Sequence, residues 1–197
     1  MDNFLEYNSW FNTEFFFKST DRFPTFRTAL NLLYQNTSNP IIVETGTVRQ
    51  VDDYGAGYST YIFGKYLHKL GAGRLITIDI SQDNMNISKE VTKEFEDKIN
   101  YVVADSLQAL TQIQEQVDLL YLDSLDTPFE PGANASPAQE HALKEFKIIE
   151  PKLHDKSIVL LDDNGLENGG KTALVKQYLK EKGWRVLFNG QQSLWIR

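Results

Sequence analysis

The stretch Ile41–Thr60, IIVETGTVRQVDDYGAGYST, decides the fold. Its apolar run Ile41–Val43 ends in Glu44, and Gly46 then permits a tight turn, which is how a buried strand feeds a ligand-binding loop. Gly55 and Gly57 let backbone approach a ligand before Ser59 opens a helix. Turns of this kind serve several cofactor classes. The reading narrows because acids recur at the ends of the strands that follow: Asp79, Asp105, Asp123 and the pair Asp162–Asp163.

From Ile41 onward, apolar strands alternate with helical patterns. That alternation predicts an α/β fold, a Rossmann-like three-layer sandwich with a mostly parallel seven-stranded sheet. The strands are expected at Ile41–Glu44, Arg74–Ile80, Tyr101–Asp105, Val117–Asp123, Ser157–Asp162, Arg185–Asn189 and Ser193–Ile196. Only a few residues separate the last two, so they form a C-terminal antiparallel hairpin. Helical faces are read at Ile62–Leu70, at Ile87, Val91 and Phe95, at Leu107, Leu110 and Ile113, and at Leu174–Leu179. Ser136-Pro137-Ala138-Gln139 reads as a capping box opening a further helix that runs to about Glu150. Ahead of the sheet, residues 1–38 form an N-terminal helical extension. Its aromatic cluster (Trp10, Phe11, Phe15, Phe16, Phe17) is expected to pack on the core, and a second helix spans about Thr25–Gln35.

A length of 197 residues with 41% hydrophobic content supports one core, so 1–197 is read as a single domain with its core over 39–197. The chain has no cysteine, which excludes disulfides and thiolate metal sites. No signal-like N-terminal pattern and no run of ~20 apolar residues is found, so the expectation is a cytoplasmic protein with no membrane partner. A net charge of −7 argues against nucleic acid, whose recognition rests on neutralising phosphates. The expected partner is a small-molecule acceptor, and homo-oligomerisation is left open.

In an open α/β sheet, ligands bind beyond the carboxyl ends of the strands. Asp79, some 30 residues after the glycine loop, is placed to accept hydrogen bonds from the two ribose hydroxyls of an adenosine ligand. Asp105 and Ser106 would lie beside the adenine. At adjacent strand ends, two carboxylates about 4 Å apart repel by about 4 kcal/mol at an effective dielectric of 20, so Asp123, Asp162 and Asp163 invite a cation. Mg²⁺ suits oxygen ligands. On that reading, neutralising Asp162 or Asp163 relieves repulsion and stabilises the metal-free protein. His141, one turn into the helix that follows the loop Leu125–Ala135, is a candidate general base. That loop, with Phe129 near its start, is placed to cover an acceptor.

Between Ile41 and Arg197 the chain resembles the class I S-adenosylmethionine-dependent methyltransferases. The segments VETGT…GAGYST, LITIDI, VVADS, VDLLYLDS and IVLLDDN occur in that family's order. It is most similar to the divalent-metal-dependent O-methyltransferases of the catechol and macrolide-sugar kinds. The resemblance implies S-adenosyl-L-methionine held by Glu44, Gly46, Gly57, Ser59, Asp79, Asp105 and Ser106. It also implies Mg²⁺ held by Asp123, Asp162 and Asp163, with Asn164 as substitute if the register moves by one. Two departures stand out. The loop between Thr47 and Gly55 is long, which leaves open which of Gly46, Gly55 and Gly57 touches the cofactor. Asp126 stands where the catechol enzymes place a lysine base, and because the sugar-modifying relatives use an Asp close after the metal acid, though at a shorter spacing, the resemblance implies Asp126 as the other candidate base. The expected activity is Mg²⁺-assisted O-methylation of a small hydroxylated acceptor such as a sugar or natural product. The alternatives are a metal-independent small-molecule methyltransferase and a non-catalytic cofactor-binding regulatory or assembly protein.

Overall fold

The central strands form around mainly apolar runs, since helices on both faces leave little solvent-facing surface there. The computed structural model describes residues 2–18, 21–127 and 134–197. Its strands are β1 (Ile41–Thr45), β2 (Arg74–Asp79), β3 (Ile99–Val103), β4 (Val117–Leu122), β5 (Leu153–Leu161), β6 (Arg185–Asn189) and β7 (Ser193–Ile196). Its α-helices are α1 (Asp2–Phe15), α2 (Phe23–Asn36), α3 (Ser59–Leu70), α4 (Gln82–Val91), α5 (Ser106–Leu110), α6 (Ser136–Ile149) and α7 (Ala173–Glu181). The sheet runs β3-β2-β1-β4-β5-β7-β6, parallel except for β7, which is antiparallel to both β5 and β6. Among the described residues no helix is long and apolar enough to cross a membrane.

Consecutive residues of each strand face opposite layers. Ile42, Leu119, Ile158, Leu160 and Leu194 join one core with α1, α2 and α3, while Val43, Leu120, Val159, Leu161 and Trp195 join the other with α6 and α7. The N-terminal aromatics divide. Phe11 and Phe15 are buried, and Phe11 stacks on Phe23 with ring centroids 5.3 Å apart, whereas Phe16 and Phe17 face solvent.

Several boundaries differ from the sequence pattern for local reasons. β3 stops at Val103 because Asp105 caps α5, its Oδ1 accepting from Leu107 N at 2.8 Å. Phe95 lies beyond α4 in a 3₁₀ turn, with φ −133°. The capping box at Ser136 does not form. Ala135 stands at the N-cap without a side-chain bond, and the Ser136 amide instead donates to Asn134 Oδ1 at 3.0 Å. Of the expected acceptor-covering loop, residues 128–133 with Phe129 lie outside the described residues.

Candidate active site

The strand order turns outward in both directions from β1 and β4, and beyond their carboxyl ends opens a cavity of about 530 Å³. Asp79 and Asp105, after β2 and β3, lie on one side of β1; Asp123, Ser124, Leu125 and Asp126, after β4, lie on the other. Gly46 forms the wall between them. Its φ of +82° favours glycine, and a methyl group there would overlap the Asp123 carbonyl. The long loop that follows folds back through left-handed Asp52 and Tyr58, with a 3₁₀ turn at Tyr54–Ala56. Thr47, Arg49, Asp53 and Tyr58 thereby reach the wall.

On the first side, Asp79 accepts from the amides of Thr47 (3.1 Å) and Ser81 (2.7 Å), and Asn84 lies 3.4 Å away. A carboxylate has about four lone-pair sites, and the two long Asn84 contacts, one to each oxygen, are the ones a ligand hydroxyl would displace. Ser106 Oγ shares a hydrogen bond with His141 Nε2 at 3.0 Å, and the same nitrogen lies 3.2 Å from Glu145. Glu145 holds the imidazole above its ordinary pKa, against the opposing effect of burial. His141 is thereby tied to Ser106, on the side expected to meet adenine, and lines the same cavity as Asp123.

Two expected cofactor contacts are placed elsewhere. Glu44 is fully buried behind the loop, where Ser59, Thr60 (2.7 Å) and Thr77 (2.8 Å) all donate to its carboxylate. Burial pushes this carboxyl up to about 7 despite the three hydroxyls. It braces β1 and β2 to the start of α3 and does not line the cavity; Ser59 lines it, but with its hydroxyl turned to Glu44. Gly57, at φ +105°, backs onto Arg22 and Asp162 instead of the wall.

The acids of the second side do converge, but the positive charge they face belongs to the protein. Lys171, only 2% exposed, places Nζ 2.6 Å from Asp123 Oδ1, 3.1 Å from Asp163 Oδ2 and 3.4 Å from Asp126 Oδ1. Arg22 donates through Nε to both oxygens of buried Asp162 (3.0 and 2.9 Å), reaches Asp163 at 3.4 Å and holds the Gly55 carbonyl at 2.6 Å. Tyr121 and Gln192 also donate to Asp162. Burial opposes both cations, yet neighbouring carboxylates raise each above its ordinary pKa. Asp123, Asp162 and Asp163 thus do not form the expected Mg²⁺ ligand set, because an ammonium and a guanidinium already occupy their oxygens. Asn164 does not substitute for them, since its side chain turns to Asn189 and Gly190. Among the described residues no group of three His, Asp or Glu side chains is arranged to hold a metal.

Asp126 also departs from its expected role. Burial raises its pKa, but Arg49 and Lys171 outweigh burial and hold the carboxyl below its ordinary value, which makes it a poor base. Burial pushes Asp123 the other way, upward, with Asp162 and Asp163 adding to it and Lys171 opposing it.

Neither Arg22 nor Lys171 carries a motif. The one signal was the charge argument itself: a cluster that invites a cation can be answered by a distant lysine or arginine. Gly169 and Gly170 before Lys171 mark the turn that delivers it.

A family model described as "Methyltransferase domain" matches residues 53–164. Comparison with curated proteins found no match. Among solved structures, the SAH-bound methyltransferase PaMTH1 of Podospora anserina aligns with a TM-score of 0.58 at 17% identity, covering 100% of this chain and 88% of that one. The ribosomal protein L11 methylase of Lactobacillus delbrueckii subsp. bulgaricus aligns with a TM-score of 0.53 at 17% identity, covering 89% and 79%. A candidate O-methyltransferase of Klebsiella pneumoniae aligns with a TM-score of 0.57 at 17% identity, covering 85% and 77%. At these identities the likeness is one of fold.

Proposed function

The chain belongs to the methyltransferase-domain family, and from that premise we propose that it transfers a methyl group from S-adenosyl-L-methionine to an oxygen of a small hydroxylated acceptor. The observation that carries this reading is the single cavity joining Asp79, Asp105 and Ser106 on one side to Asp123 and Asp126 on the other. The residues fit the cofactor. Asp79 can exchange its two long Asn84 contacts for ribose hydroxyls, Ser106 presents a hydroxyl fixed by His141, and Gly46 lets the backbone approach closely. When bound, the cofactor supplies an activated methyl group. PaMTH1, which shares the fold, is SAH-bound, which supports a cofactor of this class.

The protein's own part is alignment and proton removal. Methyl transfer is an in-line displacement, so fixing the acceptor oxygen supplies much of the advantage. Asp123, on the wall and with its pKa pushed upward by burial, is the carboxylate best matched to take the acceptor's proton. Arg49 and Asp126 flank it and can orient a polar acceptor. No divalent cation forms part of this reading, since the acids are already paired. The cavity volume and the chain's negative charge favour a small acceptor over nucleic acid.

Calorimetry with S-adenosylhomocysteine, followed by transfer assays on phenols, sugars and hydroxylated natural products, tests the reading. Asp79→Ala should weaken cofactor binding by about 1.5–3 kcal/mol, the range for a charge-assisted hydrogen bond to a buried ligand. Unchanged affinity would remove Asp79 from the site. Binding without transfer to any acceptor would favour the non-catalytic alternative.

A further inference from the structure

The acid cluster is a cage already filled. An ammonium has three N–H donors, and Lys171 meets three carboxylates contributed by separate parts of the chain: Asp123 after β4, Asp126 in the following loop and Asp163 after β5. The position is buried and built. Lys171 is 2% exposed, and a methyl on Gly170, at φ +65°, would overlap the Asp163 carbonyl, so the turn that delivers the lysine is specified by its glycine. With Arg22 and Arg49, the cluster sets four carboxylates against three fixed cations, which removes most of the charge that would draw in a metal.

We propose that Lys171 is a built-in counter-cation that makes the acceptor side of this site independent of divalent metal ions, and that removing its ammonium converts the same carboxylates into a divalent-cation site. The inference rests on the functional reading only in naming that side as the acceptor's. It follows from space and charge. Mg²⁺ needs oxygens at ~2.0–2.1 Å, and one oxygen of each of these three acids is spent on Nζ while the other faces Tyr121, Arg22 or Arg49. Lys171 is then a positioning residue, holding Asp123 toward the cavity without itself lining it.

The test uses Mg²⁺ and Mn²⁺ alone, without cofactor or acceptor, on the full chain. Melting temperature and calorimetry are read for wild type, Lys171→Ala and Lys171→Gln in EDTA and in rising metal concentration. The wild type should show no shift and no binding heat. Lys171→Ala should bind the metal and melt ~3–6 °C higher at ten times the dissociation constant, as linkage gives for a chain of this size. A merely structural lysine would not create a metal response on removal. Should Lys171→Ala not fold, Lys171→Gln, an uncharged polar side chain one atom shorter than lysine, carries the same comparison. A wild-type protein that melts higher with Mg²⁺, or a folded Lys171 variant that ignores both metals, overturns the proposal. Failure here leaves S-adenosylhomocysteine binding untouched, so the two readings fail separately.

Discussion

Glu44 holds a carboxylate at zero exposure with three hydroxyl donors and no cation among those partners, and this shapes the pH dependence of the fold. Its folded pKa of about 7 lies above the ordinary carboxylate value, so between roughly pH 4.5 and 7 the native state binds more protons than the unfolded chain. Stability from this group is therefore highest at low pH and falls as pH rises through that window, by about 3 kcal/mol in total. Asp123, shifted in the same direction, adds with the same sign. Glu44→Gln removes the titration, so thermal melts from pH 5 to 8 should be flatter for the variant than for the parent; an equal slope would dismiss Glu44 as its source. Activity separates the acids differently. If Asp123 takes the proton, turnover should rise with pH through an apparent pKa above the usual carboxylate range, and Asp123→Asn should cost ~10²–10⁴-fold in kcat. Asp126→Asn should keep that rise, because Arg49 and Lys171 hold its carboxyl ionised throughout. His141→Asn should instead weaken S-adenosylhomocysteine binding through Ser106, and a lost pH rise in that variant would return His141 to the role of base.

At the scale of elements, the turn between β5 and α7 is a second glycine turn at the site, and it delivers Lys171. Gly170→Ala would force a side chain into the left-handed region and against the Asp163 carbonyl, at a cost of roughly 1–2 kcal/mol for the backbone before any clash. A lower urea midpoint together with loss of turnover is the expected result. A variant with a wild-type midpoint would show that the turn can move and that Lys171 is not held by it. The elements themselves were legible because each central strand carries a short, mainly apolar run that ends near an acid and a turn. Arg185–Asn189 and Ser193–Ile196 fall where the short link placed them. What was not legible was which side chain would cap which amide. Asp105 left β3 to cap α5, and Asn134 rather than Ser136 met the start of α6. Those choices are decided by neighbours a few ångströms away that periodicity does not encode.

Across the whole molecule, the part of the site that could be read was the part carried by strand order: Asp79, Asp105, Ser106 and Asp123 all line one cavity. The hidden part consists of long-range charge partners. Arg22 lies 140 residues from Asp162, and nothing in the local pattern around either announces the pair. Arg22 joins the start of α2 to the loop at Gly55 and to the end of β5, so it is the point at which the N-terminal helices are fastened to the site. This reverses the expectation that neutralising Asp162 stabilises the protein. Asp162 is fully buried and satisfied by Arg22, Tyr121 and Gln192. Removing one member of a buried pair strands the other, at about 3–5 kcal/mol, whereas removing both charges costs much less. Arg22→Met and Asp162→Asn should each lower stability by that amount in urea titrations. The double variant should lose clearly less than the sum, with a coupling of about 1–3 kcal/mol. Hydrogen exchange should show the amides of α2 opening earlier in Arg22→Met while those of β2 and β3 keep their protection, because the lost fastening lies at the other side of the sheet. Strictly additive losses, or a loosening spread evenly over all strands, would mean that the N-terminal helices are held by their aromatic packing and by contacts such as Glu14–Lys65 and Thr25–Gln192, and that the Arg22–Asp162 pair is incidental.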